Sequence, residues 1–135
     1  MSTTSPAAVV KSYFDAVAAG DMATLSELIS ESIVWHQPGK GHLSGTKTGT
    51  GEVFPMLGAM ATLSEGTFAI DQVDEIMENG NLVAARIHFV AQKGDSAISM
   101  NGVDLLKVED GKIVEAWLFS GDQDAEDSFW DGARA

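Results

Sequence analysis

GVDLLKVEDGKIVEAWLFSGD, residues Gly102 to Asp122, decides the fold. It reads as two long strands joined at Asp110-Gly111, a pair suited to the positive φ values of a tight hairpin turn. On the first strand, alternation puts Met100, Gly102, Asp104, Leu106 and Val108 on one face, so Asp104 is the single charge among apolar neighbours. A carboxyl in that setting is expected to titrate high and to serve as a hydrogen-bond donor or general acid. Polar groups at inward positions of such long strands point to a cone-shaped sheet around a pocket.

Working outward, Thr67 to Met77, Leu82 to Ala91, Ala97 to Val108 and Ile113 to Ser120 alternate as strands. Asn79-Gly80, Lys93-Gly94-Asp95 and Asp110-Gly111 supply the turns, giving a four-strand antiparallel meander. Three helices precede it. Ser5-Pro6 starts the first, whose Val10, Tyr13, Phe14 and Val17 recur at helical spacing before Gly20 ends it. Asp21 caps a short second helix with Met22, Leu25, Leu28 and Ile29 as its apolar stripe. Ser32 to Gln37 reads as a short strand, Pro38 to Gly51 as a loop, and Glu52 to Leu63 as the third helix. Helices first and strands afterwards predict a single α+β domain over residues 1–135, with the helices covering one face of a strongly curved antiparallel sheet.

Composition narrows the chemistry. The chain has 135 residues and no cysteine, which excludes disulfides and thiolate chemistry. Twenty acidic residues against 8 basic ones give a net charge of −12, unsuited to nucleic acid or to an anionic membrane. The last fourteen residues, with Asp122, Asp124, Glu126, Asp127 and Asp131 around Phe129 and Trp130, read as a solvated acidic face. No apolar run is long enough to span a bilayer and no signal pattern opens the sequence, so a cytoplasmic location is expected. His36, His42 and His88 lack metal-ligand spacing, and the loop GKGHLSGTKTGTG lacks a nucleotide-binding pattern; neither a metal nor a cofactor is expected.

Four motifs carry a family resemblance: AAGD closing the first helix, VWHQPG on the short strand, GTxxG leading into a helix, and VxDGKIVExW before the acidic tail. Together they resemble the nuclear-transport-factor-2-like superfamily, within it the SnoaL-like group of polyketide cyclases, ketosteroid isomerases and limonene epoxide hydrolases. The resemblance spans nearly the whole chain and implies a cystatin-like roll with a central pocket. It also implies that Tyr13 and Asp104 match the oxyanion-hole pair of the isomerases. The isomerase base aligns with Gln37, an amide that cannot abstract a proton, and the acidic residue of the cyclases and hydrolases aligns with Leu118. By analogy, Arg86 and His88 look into the cone, resembling the Arg-x-Asp pair of the epoxide hydrolases.

These positions suggest a His88–Asp104–Arg86 constellation with Tyr13 beside it, the imidazole acting as base and the carboxyl as acid or orienter. An Arg86–Asp104 ion pair with His88 in a buried hydrogen bond is the alternative. Trp35 and Gln37 are favoured as inward over His36. They join Phe54, Leu57, Met60, Met100 and Trp117 as core residues that also line the pocket. The expected function is a cofactor-free acid/base enzyme of isomerase, cyclase or hydrolase type. Its ligand would be apolar and oxygenated, such as a polyketide, terpenoid or steroid-like compound. A non-catalytic carrier of a small hydrophobic ligand is the alternative. Val83, Ile87 and Phe89, placed on the outer sheet face, would need covering by a second subunit, so a homodimer is expected.

Overall fold

The computed structural model describes residues 5–133, which form four helices and one curved six-stranded sheet. Helix α1 (Pro6–Ala19) starts at Ser5, whose Oγ accepts the Ala8 N–H at 3.1 Å. It stops at Gly20, where φ of 66° lets the backbone N–H turn back to the Ala16 and Val17 carbonyls. Helix α2 (Met22–Leu28) is capped by Asp21, which accepts from the Thr24 N–H at 3.1 Å and its hydroxyl at 2.6 Å. Helix α3 spans Thr50–Leu63, two residues longer at its start than expected, so Pro55 lies inside it.

The strands are β1 (Ile29–Gln37), β2 (Gly45–Thr48), β3 (Ala69–Asn79), β4 (Leu82–Lys93), β5 (Ser96–Glu109) and β6 (Lys112–Ser120), in the spatial order β2-β1-β6-β5-β4-β3. β1 runs parallel to β6 and every other pairing is antiparallel. The C-terminal meander is as expected, and its last turn holds Asp110 at φ 52° and Gly111 at φ 77°. Two segments correct the sequence reading. The stretch from Pro38 to Gly51 contains β2, a four-residue edge strand paired with β1 from Val34↔Thr48 to Gln37↔Gly45. Its Gly/Thr content hid a pairing that its neighbour, not its own periodicity, specifies.

The acidic tail is the second correction. It folds into helix α4 (Gln123–Ala133), with Glu126, Phe129 and Trp130 buried on one side. Those three fall at i, i+3 and i+4, the spacing of one helix face. Helices α1 and α2 pack together, α1 against β3, β4 and β5, α3 against β1 and β2, and α4 against β5, β6 and α3. All four helices therefore gather on the concave side.

Register shifts in the β1/β6, β3/β4 and β5/β6 pairings mark bulges that increase bend and twist. Curvature also brings backbones close. A Cβ added at Gly102 would sit 2.6 Å from the Phe119 carbonyl oxygen and 3.3 Å from the Phe89 ring, so glycine is needed on this inward position of β5. Among the described residues, no helix is long and apolar enough to cross a membrane.

Candidate functional site

Between the concave face and the helices lies a cavity of about 310 Å³, at the small end of the usual range for ligand sites. Its walls are mostly apolar. Helix α1 gives Tyr13 and Val17, α3 gives Phe54, Leu57 and Met60, and the sheet gives Trp35, Ile70, Ile87, Phe89 and Leu118. Four ionisable or strongly polar side chains interrupt them: Tyr13, Gln37, Asp104 and Glu126.

Asp104 is only 6% exposed and lies opposite Ala85 and Leu118 in the ladder, so its side chain shares their inward face. Burial pushes its carboxyl up to about 7, and the negative charge of Glu126 adds to the effect. The Tyr13 phenol is also raised, first by burial and then by Asp104, and stays a protonated O–H donor. Every fully shielded side-chain oxygen or nitrogen among the described residues has a hydrogen-bond partner. Tyr13 and Asp104 make no side-chain hydrogen bond to described residues, so their oxygens face the cavity and are open to a ligand.

Gln37 is buried, and its Oε1 accepts the Trp35 indole N–H at 3.0 Å. That bond fixes the amide and leaves its NH₂ as a donor. Glu126 was not singled out in the sequence. Its Oε1 accepts from Ser120 Oγ at 2.6 Å and Gln123 Nε2 at 3.0 Å, and its Oε2 from Trp130 Nε1 at 3.2 Å. The signal that could have found it is the helical spacing of Glu126, Phe129 and Trp130, obscured by the surrounding acids.

The wall containing Glu126 is anchored. Asp127 accepts the Lys40 backbone N–H at 2.8 Å, and Asp131 accepts the His42 N–H and its ring Nδ1 at 2.8 Å each. Acidic residues expected to face water instead hold α4 to the loop after β1, and His42 takes part.

The His88–Asp104–Arg86 constellation does not form. Val83, Ala85, Ile87, Phe89 and Ala91 are the buried face of β4, and Ala85 and Ile87 pair with Asp104 and Gly102. Strict alternation then sends Arg86 and His88 to the convex face. There Arg86 is exposed with Nη2 3.6 Å from Glu75 Oε1. His88 bridges Asp71 (Nδ1, 2.7 Å) and Ser99 (Nε2, 3.0 Å). Trp117 also lies outside the cavity, stacked on His36 with ring centroids 5.5 Å apart. His36 in turn holds Glu115 through Nε2 at 2.7 Å. Met100 packs against the core but does not reach the cavity wall. Tyr13, Asp104, Trp35, Gln37, Phe54, Leu57 and Met60 do reach it. Among the described residues no three His, Asp or Glu side chains gather into a metal-holding group.

With this geometry in hand, the chain can be compared with known proteins. Residues 10–116 match the model of the SnoaL-like domain. A crystal structure of a protein of unknown function with a cystatin-like fold, from Xanthomonas campestris, is 48% identical, superposes with a TM-score of 0.90, and covers 93% of this chain and 97% of its own. An uncharacterized Mycobacterium tuberculosis protein is 28% identical over 90% of this chain and 93% of its own length. IdmH from Streptomyces antibioticus, described as a proposed polyketide cyclase, is 23% identical with a TM-score of 0.69, over 86% of this chain and 91% of its own. At that identity it shows the shared fold alone.

Proposed function

Since the chain belongs to the SnoaL-like domain family, we propose that it is a cofactor-free acid/base enzyme of isomerase, cyclase or hydrolase type. Its substrate is a neutral, apolar, oxygenated small molecule of the polyketide, terpenoid or steroid-like kind. The observation that carries this reading is Asp104, a carboxyl buried in an apolar cavity and raised to about 7, with the Tyr13 phenol nearby. A protonated carboxyl and a phenol are two donors for a substrate oxygen, and negative charge developing on that oxygen would be met by hydrogen bonds in a dry site. The same pair disfavours an anionic ligand. Placing unbonded polar groups in an apolar cavity is costly to the fold, which supports a chemical role over passive storage. The proposed cyclase activity of a relative in fold adds a consistent precedent.

The test uses a panel of neutral aryl ketones and epoxides, with binding followed by the fluorescence of Trp35 in the cavity wall. Asp104→Asn is expected to lower turnover by about 100-fold or more while leaving the dissociation constant within about tenfold. A wild-type protein that binds panel members and converts none would replace this reading with that of a carrier.

We also propose that the protein forms a homodimer through the convex face of the sheet, although through other residues than those expected. Val83, Ile87 and Phe89 are in the core. Val103 and Phe119, paired across β5 and β6, are 37% and 57% exposed, beside the Trp117–His36 stack. This apolar strip on the central strands favours a second copy. Phe119→Glu is expected to convert a species of twice the chain mass in light scattering into one of the chain mass. A wild-type protein that is monomeric at high concentration would refute it.

A further inference from the structure

The acid/base reading leaves open which group removes a proton, because Gln37 occupies the expected position of the base. Glu126 is the remaining carboxyl on the cavity wall, and it reaches the site from α4, an element that follows all six strands in the chain. It is 4% exposed. Three donors hold it: Ser120 Oγ, Gln123 Nε2 and Trp130 Nε1. A carboxylate offers about four acceptor sites. Oε1 takes two donors and Oε2 takes one, which leaves an acceptor site on Oε2.

One cavity thus contains two carboxyls in opposite environments. Asp104 has apolar neighbours and no side-chain donor, while Glu126 has three donors. Asp104, raised by burial, is the acid of the pair, and Glu126, with an acceptor site left on Oε2, is the group placed to receive a proton.

We propose that Glu126 is the base of this site, taking a proton from a carbon flanked by a carbonyl and by a second carbonyl or unsaturated group of a neutral substrate. The inference rests on the acid/base reading above and narrows its substrate class. The narrowing follows from the functional group: any carboxylate is a weak base toward a C–H bond, so the carbon acid must itself be activated. A simple ketone does not suffice.

The step balances without a co-reactant. The C–H bond breaks and its proton goes to Glu126 Oε2. The electron pair forms a carbon–carbon double bond, and the carbonyl π pair moves onto oxygen, which receives the proton of Asp104. In the return step Glu126 gives its proton to a different carbon and Asp104 recovers its own from the enol. The net change is the migration of a double bond; where the enol carbon instead attacks a second carbonyl of the same molecule, that carbonyl's π pair moves onto its oxygen, which takes the proton from Glu126, the enol O–H returns its proton to Asp104, and the net change is ring closure.

The probe is 2-tetralone, a neutral ketone whose C1 hydrogens lie between the carbonyl and an aromatic ring. Exchange of those hydrogens in D₂O is followed by proton NMR, and binding by Trp fluorescence. The wild-type protein is expected to accelerate exchange above buffer. Glu126→Gln should lower the protein-dependent rate by about 100-fold and leave the dissociation constant within about threefold. Glu126→Asp keeps the charge on a shorter arm and should retain an intermediate rate, which guards against misreading a folding defect in the amide variant. Wild-type exchange no faster than buffer overturns the substrate class. A Glu126→Gln protein that binds 2-tetralone and exchanges it at the wild-type rate overturns the role of Glu126 and leaves the acid/base reading standing, provided Asp104→Asn abolishes exchange. Undiminished exchange in Asp104→Asn defeats the acid/base reading itself.

Discussion

At pH 8, Asp104→Asn is expected to make the protein more stable than the wild type, by up to about 4 kcal/mol, and the gain should vanish toward pH 4. The sign follows from linkage. The Asp104 carboxyl is raised from 3.8 to about 7 in the folded protein. Between those values the folded state holds a proton that the unfolded state has released, so stability falls as pH rises. Below the unfolded value the group contributes no penalty, and above about 7 the penalty is complete. A shift of about 3 units at 1.36 kcal/mol each gives the upper figure.

Asparagine is nearly isosteric and cannot ionise. The ionisable groups sharing the cavity with position 104 are Tyr13 from α1 and Glu126 from α4, and both remain in the variant. Urea unfolding of both proteins at pH 4, 5.5, 7 and 8 measures the difference curve. A difference independent of pH would mean that Asp104 is not desolvated. Because the same substitution is expected to suppress turnover, stability and activity should move in opposite directions, as they do where a site retains a strained group for its chemistry.

Trp130→Ala should cost about 3–5 kcal/mol, a large share of the stability of a domain this size. Trp130 is 3% exposed, its ring centroid 5.0 Å from that of Phe129 and 5.9 Å from that of Phe68. Truncation leaves a cavity beneath α4 and removes one donor from Glu126. Trp130→Phe should restore most of the packing while still lacking that donor, so the two variants separate the terms. Thermal and urea unfolding followed by far-ultraviolet circular dichroism provide the check. A loss below about 1 kcal/mol for the alanine variant would show that α4 is not docked.

The expectation for this helix is where sequence and structure diverge most. The hairpin was legible because Asp110-Gly111 accepts two positive φ values and because β5 alternates cleanly, with Asp104 conspicuous among apolar residues. The inward position of Tyr13 followed from helical spacing, whereas alternation in β1 set Trp35 and Gln37 on one face and His36 on the other without choosing between the two. β4 went wrong for a specific reason. Both of its faces contain apolar residues, so alternation alone leaves the buried face open, and the resemblance of Arg86-x-His88 to the Arg-x-Asp pair favours the exposed one. The fully apolar set, Val83, Ala85, Ile87, Phe89 and Ala91, is the one that is buried. Pairing with β5 would have required that choice, since Ala85 lies opposite Asp104. In α4 the density of acids concealed an apolar face only one helical turn long, and with it Glu126. Acids that bond backbone N–H groups, as Asp127 and Asp131 do, look identical in sequence to acids in water.

The two influences on Asp104 give folding a consequence for the surrounding buffer. In the unfolded chain water surrounds Asp104, and its carboxyl titrates as an ordinary aspartate. Folding removes that water, and α4 brings the charge of Glu126 near, the two influences that favour protonation. Between about pH 4 and 7 folding is therefore accompanied by a proton uptake from the buffer, and the acid of the site is charged with its proton by the assembly of its own walls.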